Sequence, residues 1–201
     1  MEINNLSFCY PGEPPLFEGF GFSSSSPLVV LRGASGCGKT TLLKILFGGI
    51  QGDLSFDKLE LPSKAFLILQ DDALCPWLTG IQNIVNFIPC SISDFEQLPL
   101  YKHTKSFINK KTCNLSFGQR RLIELLRAFV FGPDLLLLDE PLNYLDAQSR
   151  GIVVNEIINY INVGNRQVIL TDHIKQSFDA LSHVTYSFPE AKPITELYRE
   201  E

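Results

Sequence analysis

The chain has 201 residues, 45% hydrophobic and 19% charged, a composition that supports a folded domain with a sizeable core and excludes a disordered or fibrous chain. A formal net charge of −5 supplies no basic footprint, so no nucleic-acid partner is expected. Five scattered cysteines, odd in number and without a C-x-x-C pair, exclude a disulfide framework and a zinc site and point to reduced thiols in the cytosol.

In chain order, the N-terminus lacks a positive region followed by an apolar one, so no signal peptide is expected. Residues 2–22 alternate enough to predict an antiparallel strand pair, and 23–26 form a polar turn. Leu28–Arg32 is a short apolar run of buried-strand type, and Lys39–Phe47 is a helix that stops at Gly48-Gly49. A short arm over 49–65 leads to a strand at 65–69. Residues 71–131 lack strand patterning and predict a helical lobe, with short helices at 81–87 and 94–98 and a longer one from Gly118. A strand at 135–139 follows. A helix over 150–162 then places Val153, Val154, Ile157, Ile158 and Ile161 on one face. Strands at Gln167–Thr171 and 184–188 complete the pattern, and with only 190–201 beyond them no C-terminal regulatory domain is expected. No apolar run approaches the roughly 20 residues of a membrane helix, so any membrane role is expected to pass through a partner. Strands alternating with helices predict an α/β fold: a mainly parallel sheet, an antiparallel β edge, and a helical lobe at about 71–131 inserted in a single domain, 1–201.

Gly33-Ala34-Ser35-Gly36-Cys37-Gly38-Lys39-Thr40 fits G-x-x-x-x-G-K-[ST] between a predicted strand and a predicted helix, the context a P-loop needs. The glycines let backbone N–H groups curl around phosphate oxygens, and the helix presents its positive end. Lys39 is placed to reach β- and γ-phosphates, and the Thr40 hydroxyl to ligate Mg²⁺. The loop and Thr41 are therefore assigned to ATP; Cys37 occupies a free position with no side-chain chemistry. The strand 135–139 ends in Asp139 and Glu140. A carboxylate at such a strand tip holds Mg²⁺ directly or through water, and its neighbour polarises a water against the γ-phosphate.

Leu115-Ser116-Phe117-Gly118-Gln119 resembles the L-S-G-G-Q signature of ABC ATPases, and other elements of that family fall in order around it. Gln70 follows a strand as the family's Q-loop glutamine does. Residues 141–146, ending in Asp146, resemble the D-loop. His173 lies two residues past a strand, where the switch histidine stands, and Tyr10 sits in the first strand, where an adenine-stacking aromatic is found. The resemblance implies an ATP-hydrolysing P-loop core. Glu140 would be the base, His173 would touch the γ-phosphate, and Gln70 would stand near Mg²⁺ with Thr40 and Asp139. It also implies a composite site in a head-to-tail homodimer, with Ser116, Gly118 and Gln119 of one chain closing the ATP of the other and Asp146 linking the two.

Two departures stand out. Phe117 replaces the signature's usual glycine, so its phenyl must point away or weaken that contact. Leu122 stands where a second arginine is common. Pro76-Trp77-Leu78-Thr79 resembles the P-W-L-T segment of ATPases that serve importers of nitrate, sulfonate, taurine and related solutes. That likeness implies a subunit on the cytoplasmic face of the membrane, working with permease subunits and, in an importer, a substrate-binding protein. Trp77 is then an interface anchor or a residue packed inside the lobe. An iron–sulfur-assembly type of ABC ATPase, which drives no transport, and a haem-exporter type share most of these motifs.

Overall fold

The computed structural model describes residues 1–172, 178 and 183–200. Its centre is a six-stranded sheet. Leu28–Arg32 (β3), Ala65–Ile68 (β6), Leu135–Leu138 (β7), Gln167–Thr171 (β8), Val184–Ser187 (β9) and Tyr198–Arg199 (β10) lie in the order β10-β9-β3-β8-β7-β6. All pairs are parallel except β10–β9. The inner strands are almost wholly apolar because both faces are covered. Leu28 and Val30 of β3 enter one core and Val29 and Leu31 the other; Leu136 and Leu138 of β7 likewise oppose Leu135 and Leu137.

On one face lie Lys39–Phe47 (α1) and a second sheet, in which Glu2–Cys9 (β1) pairs antiparallel with Phe17–Ser23 (β2), Asp53–Ser55 (β4) and Lys58–Glu60 (β5). On the other face lie Ala147–Ile161 (α5) and the helical lobe. The lobe holds Gln82–Val85 (α2), Pro99–Thr104 (α3) and Phe117–Phe131 (α4), with 3₁₀ turns at Ile92–Asp94 and Thr112–Asn114.

The α/β layering agrees with expectation, while several boundaries move. The helix expected at 94–98 begins at Pro99 instead. Proline is preorganised for a first helical position, and the residue before it is driven to extended backbone, as Leu98 is. α4 starts at Phe117 because Ser116 caps it: the Ser116 hydroxyl accepts from the Gln119 amide while the Gln119 side chain accepts from the Ser116 amide. α5 starts at Ala147, three residues before the expected start at Arg150, because Asp146 supplies the N-cap. Trp77 is 68% exposed, so the lobe does not bury it.

Candidate functional site

The C-terminal ends of β3 and β7 converge on one cleft, the position where parallel α/β sheets generally build sites. Its volume is about 820 Å³, and its wall includes Tyr10, Ser35, Gly36, Gly38, Lys39, Thr40, Thr41, Gln70 and Glu140. Between β3 and α1 the loop turns through Gly33, at φ +148°. A Cβ there would lie 2.8 Å from Cys37 Sγ and 3.0 Å from Phe188 Cβ, so only glycine fits. Gly38 then caps α1 without a side chain, which leaves the first-turn amides of α1 aimed out of the helix. Together with the helix dipole they make a phosphate-binding end.

Lys39 is buried at the head of α1, and its Nζ donates to the carbonyls of Gly33 and Ala34 at 2.8 and 2.9 Å. The Thr40 hydroxyl donates to Asp139 Oδ2 at 2.6 Å. Asp139, just beyond β7, accepts on its other oxygen from the Thr171 hydroxyl at 2.7 Å. That hydroxyl in turn accepts from the Glu140 amide at 2.8 Å. β3–α1, β7 and β8 are thus tied through three side chains. Glu140 is held at φ +48°, uncommon for a non-glycine residue, and accepts from the Asn143 amide group.

Thr40 and Asp139 offer the hard oxygen ligands that Mg²⁺ prefers. Among the described residues no three His, Cys, Asp or Glu side chains converge on a metal position. An ion here would be held by one or two protein oxygens together with phosphate oxygens and water. Tyr10 lies one residue past β1 rather than in it; its hydroxyl shares a 3.0 Å hydrogen bond with that of Thr41, and Phe8 packs edge-on against its ring at 4.9 Å. The ring therefore stands at the cleft mouth, 36% exposed.

Four other predicted residues lie away from this cleft. Ser116, Gly118 and Gln119 form the first turn of α4, and Asp146 caps α5 by accepting from the Ser149 amide at 2.7 Å. That contact, with the Ser149 hydroxyl adding to it, holds the Asp146 carboxyl below its ordinary value. A Cβ on Gly118 would lie 2.5 Å from the Tyr144 carbonyl, so the start of α4 and the segment before α5 approach backbone to backbone only because Gly118 is bare. His173 lies outside the described residues. The cleft also contains Glu13, Glu18, Lys192 and Pro193, which sequence reasoning missed. None belongs to a recognisable motif, and the two C-terminal residues reach the cleft only by folding back.

Residues 23–143 match a family model described as ABC transporter. The chain is 35% identical over 184 residues to the taurine import ATP-binding protein TauB of Pseudomonas aeruginosa (strain UCBPP-PA14), an alignment covering 85% of this chain and 65% of that protein. It is 31% identical over 188 residues to the putrescine transport ATP-binding protein PotG of Escherichia coli (strain K12), covering 85% of this chain and 50% of that one. This chain thus spans between half and two thirds of the length of these two relatives. Among solved structures, a metal-chelate type ABC transporter in an inward-facing conformation superposes with a TM-score of 0.71 at 25% identity, covering all of this chain and 82% of the other.

Proposed function

The chain belongs to the ABC transporter family, and from that premise we propose that it binds and hydrolyses Mg-ATP as the energy-supplying subunit of a membrane importer. The observation that carries the reading is the knot of Thr40, Asp139 and Thr171 beside Lys39 and Glu140, which sets a phosphate-binding helix end against two strand-tip carboxylates. Phosphoryl transfer to water needs mainly positioning and charge neutralisation, and this arrangement supplies both. Lys39 and the loop amides hold the phosphates, Tyr10 stacks on the base, and Thr40 and Asp139 hold Mg²⁺. When bound, the ion neutralises charge developing on the phosphates. Glu140, with Gln70 on the same wall, takes the proton of the attacking water.

The separation of the α4 end from the cleft supports a second copy. In this reading Ser116, Gly118 and Gln119 close the ATP held by the partner, and Asp146 lies between the sites. Importer activity rests on the likeness to proteins named for taurine import and putrescine transport. Among the described residues no helix is long and apolar enough to cross a membrane, so permease subunits are the proposed transmembrane partners and the membrane's cytoplasmic face the proposed location. The exposed Trp77 is their proposed anchor.

Calorimetry and phosphate release test the chemistry. Lys39→Ala is expected to lose tight ATP binding and turnover together. Glu140→Gln is expected to bind ATP yet hydrolyse it about 10²–10⁴-fold more slowly. Unchanged binding in the first variant would remove the P-loop from the reading, and normal turnover in the second would remove Glu140.

A further inference from the structure

Beyond β9 the chain turns back along the nucleotide cleft and is pinned there. The Phe188 amide donates to Arg32 O at 2.9 Å, and the Ile194 amide to Leu16 O at 2.8 Å. The Glu18 and Gly21 amides donate to the carbonyls of Ile194 and Thr195 at 3.1 and 3.2 Å. Ile194 is fully buried in the apolar layer that contains Phe17. Between these anchors the chain has little freedom, and it holds Lys192 and Pro193 against the cleft as part of its wall.

Lys192 Nζ donates to the Gly36 carbonyl at 3.0 Å. Two ammonium groups therefore rest on carbonyls of the same phosphate-binding loop: Lys39 on Gly33 and Ala34, and Lys192 on Gly36. Among the described residues no carboxylate lies within 4 Å of Lys192 Nζ, and Gly36 O is its single hydrogen-bond acceptor. An ammonium carries three donors, so two remain for a ligand. Charge points the same way. Among the described residues, the cleft wall carries Glu13, Glu18 and Glu140, and its cations are Lys39 and Lys192. A polyanionic ligand facing those carboxylates would gain from a positive charge beside Lys39, in addition to that of a bound Mg²⁺.

We propose that Lys192 is a second phosphate-binding lysine, delivered by the C-terminal segment, which donates to a phosphate oxygen of the bound nucleotide. The proposal rests on the reading of this cleft as an ATP site. A neutral carbonyl is a weaker acceptor than a phosphate oxygen, so the contact with Gly36 would yield to or be shared with the ligand.

The test uses the whole chain with Mg-ATP and Mg-ADP as probes. Calorimetry is expected to show about tenfold weaker binding of both in Lys192→Met, which keeps the hydrocarbon stem and loses the charge, and recovery in Lys192→Arg. Because Lys192 is exposed, its acetylation by an amine-reactive reagent is expected to fall when ATP is added to the wild type, as read by mass spectrometry. If Lys192 only braced the loop, the methionine variant would lower the melting temperature of the nucleotide-free protein while ATP left Lys192 labelling unchanged. That result, or wild-type affinity in Lys192→Met, overturns the proposal. If the wild type itself binds no ATP, the reading of the cleft fails first, and the role of Lys192 falls with it.

Discussion

The Asp146 carboxylate accepts from the amide and the hydroxyl of Ser149 at the start of α5, and those contacts hold its carboxyl below the ordinary value of 3.8. A carboxyl whose pKa is depressed in the folded state stabilises the fold above its unfolded value, and that contribution disappears as pH falls through the folded one. Asp146→Asn keeps an acceptor for the cap but cannot titrate. Its melting temperature is therefore expected to fall less steeply than the wild type's as acid is added from about pH 5 downward, while Asp146→Ala starts lower at every pH. Thermal scans at stepped pH read the difference, and parallel curves for wild type and Asp146→Asn would deny the carboxylate that role. Phe117 is exposed as well, with its ring 5.7 Å from that of Tyr144 and 4.4 Å from the Arg120 guanidinium, so the side chain leans along the surface rather than into a core. At this scale sequence reading named those residues of the cleft that a local pattern marks. Lys39 and Thr40 are adjacent within a spaced motif, and Asp139 ends an apolar run. Lys192 was beyond it, because its acceptor on Gly36 lies 156 positions away and nothing in the pattern around Lys192 announces a return.

α4 is the element that joins the lobe to the cleft. Arg121, 3% exposed, donates to the carbonyls of Leu69 and Gln70 at 2.7 Å each and to Glu124 at 3.2 Å. Glu124, 2% exposed, accepts from the Ala73 amide at 2.7 Å. Burial pushes the Glu124 carboxyl up from its ordinary range, against the pull of that amide and of Arg121. One turn further along, Arg127 donates to the Ala73 carbonyl at 3.3 Å. Residues 69–73, including Gln70, are therefore clamped to the helix that Ser116 caps. Leu122, which stands where the family commonly has a second arginine, is buried in the core, and Arg121 supplies the buried guanidinium. Arg121→Met leaves Glu124 buried without its counter-charge and is expected to cost about 3–5 kcal/mol in urea unfolding. Adding Glu124→Gln should cost less than the sum of the two single changes, since the pair is coupled. A strictly additive double variant would mean the two side chains act independently. Among elements, β3, β8 and α1 were legible to the residue, because apolar runs and Gly48-Gly49 punctuate them locally. β4, β5 and β10 were not: at three, three and two residues they carry no period of their own, and each exists because a neighbouring strand pairs with it.

At the scale of the whole molecule, the proposed function makes the cleft and the first turn of α4 two half-sites on one chain, which a head-to-tail pair would unite twice. Lys39→Ala spoils a P-loop and leaves the α4 end intact; Ser116→Arg does the reverse. Because Ser116 also caps α4, the second variant should be less stable by about 1 kcal/mol, and both should be assayed well below their melting temperatures. If each site is shared, either homodimer is dead at both sites. A mixed dimer has one site with both faults and one with none. Combining the two inactive proteins is therefore expected to restore part of the ATPase activity, increasing with protein concentration, with homodimers and cooperation between sites keeping it below wild type. Phe117 sharpens the test, since an aromatic side chain beside Ser116 must be accommodated wherever α4 meets a second copy. Should pull-down with distinct tags show heterodimers while activity stays at the single-variant level, pairing wild type with Ser116→Arg decides the cause. Activity near half of wild type in that pair means one intact site suffices for turnover, and sharing between chains is then wrong. Activity near zero means that both sites must be whole, and the inactive mixed dimer then says nothing against sharing.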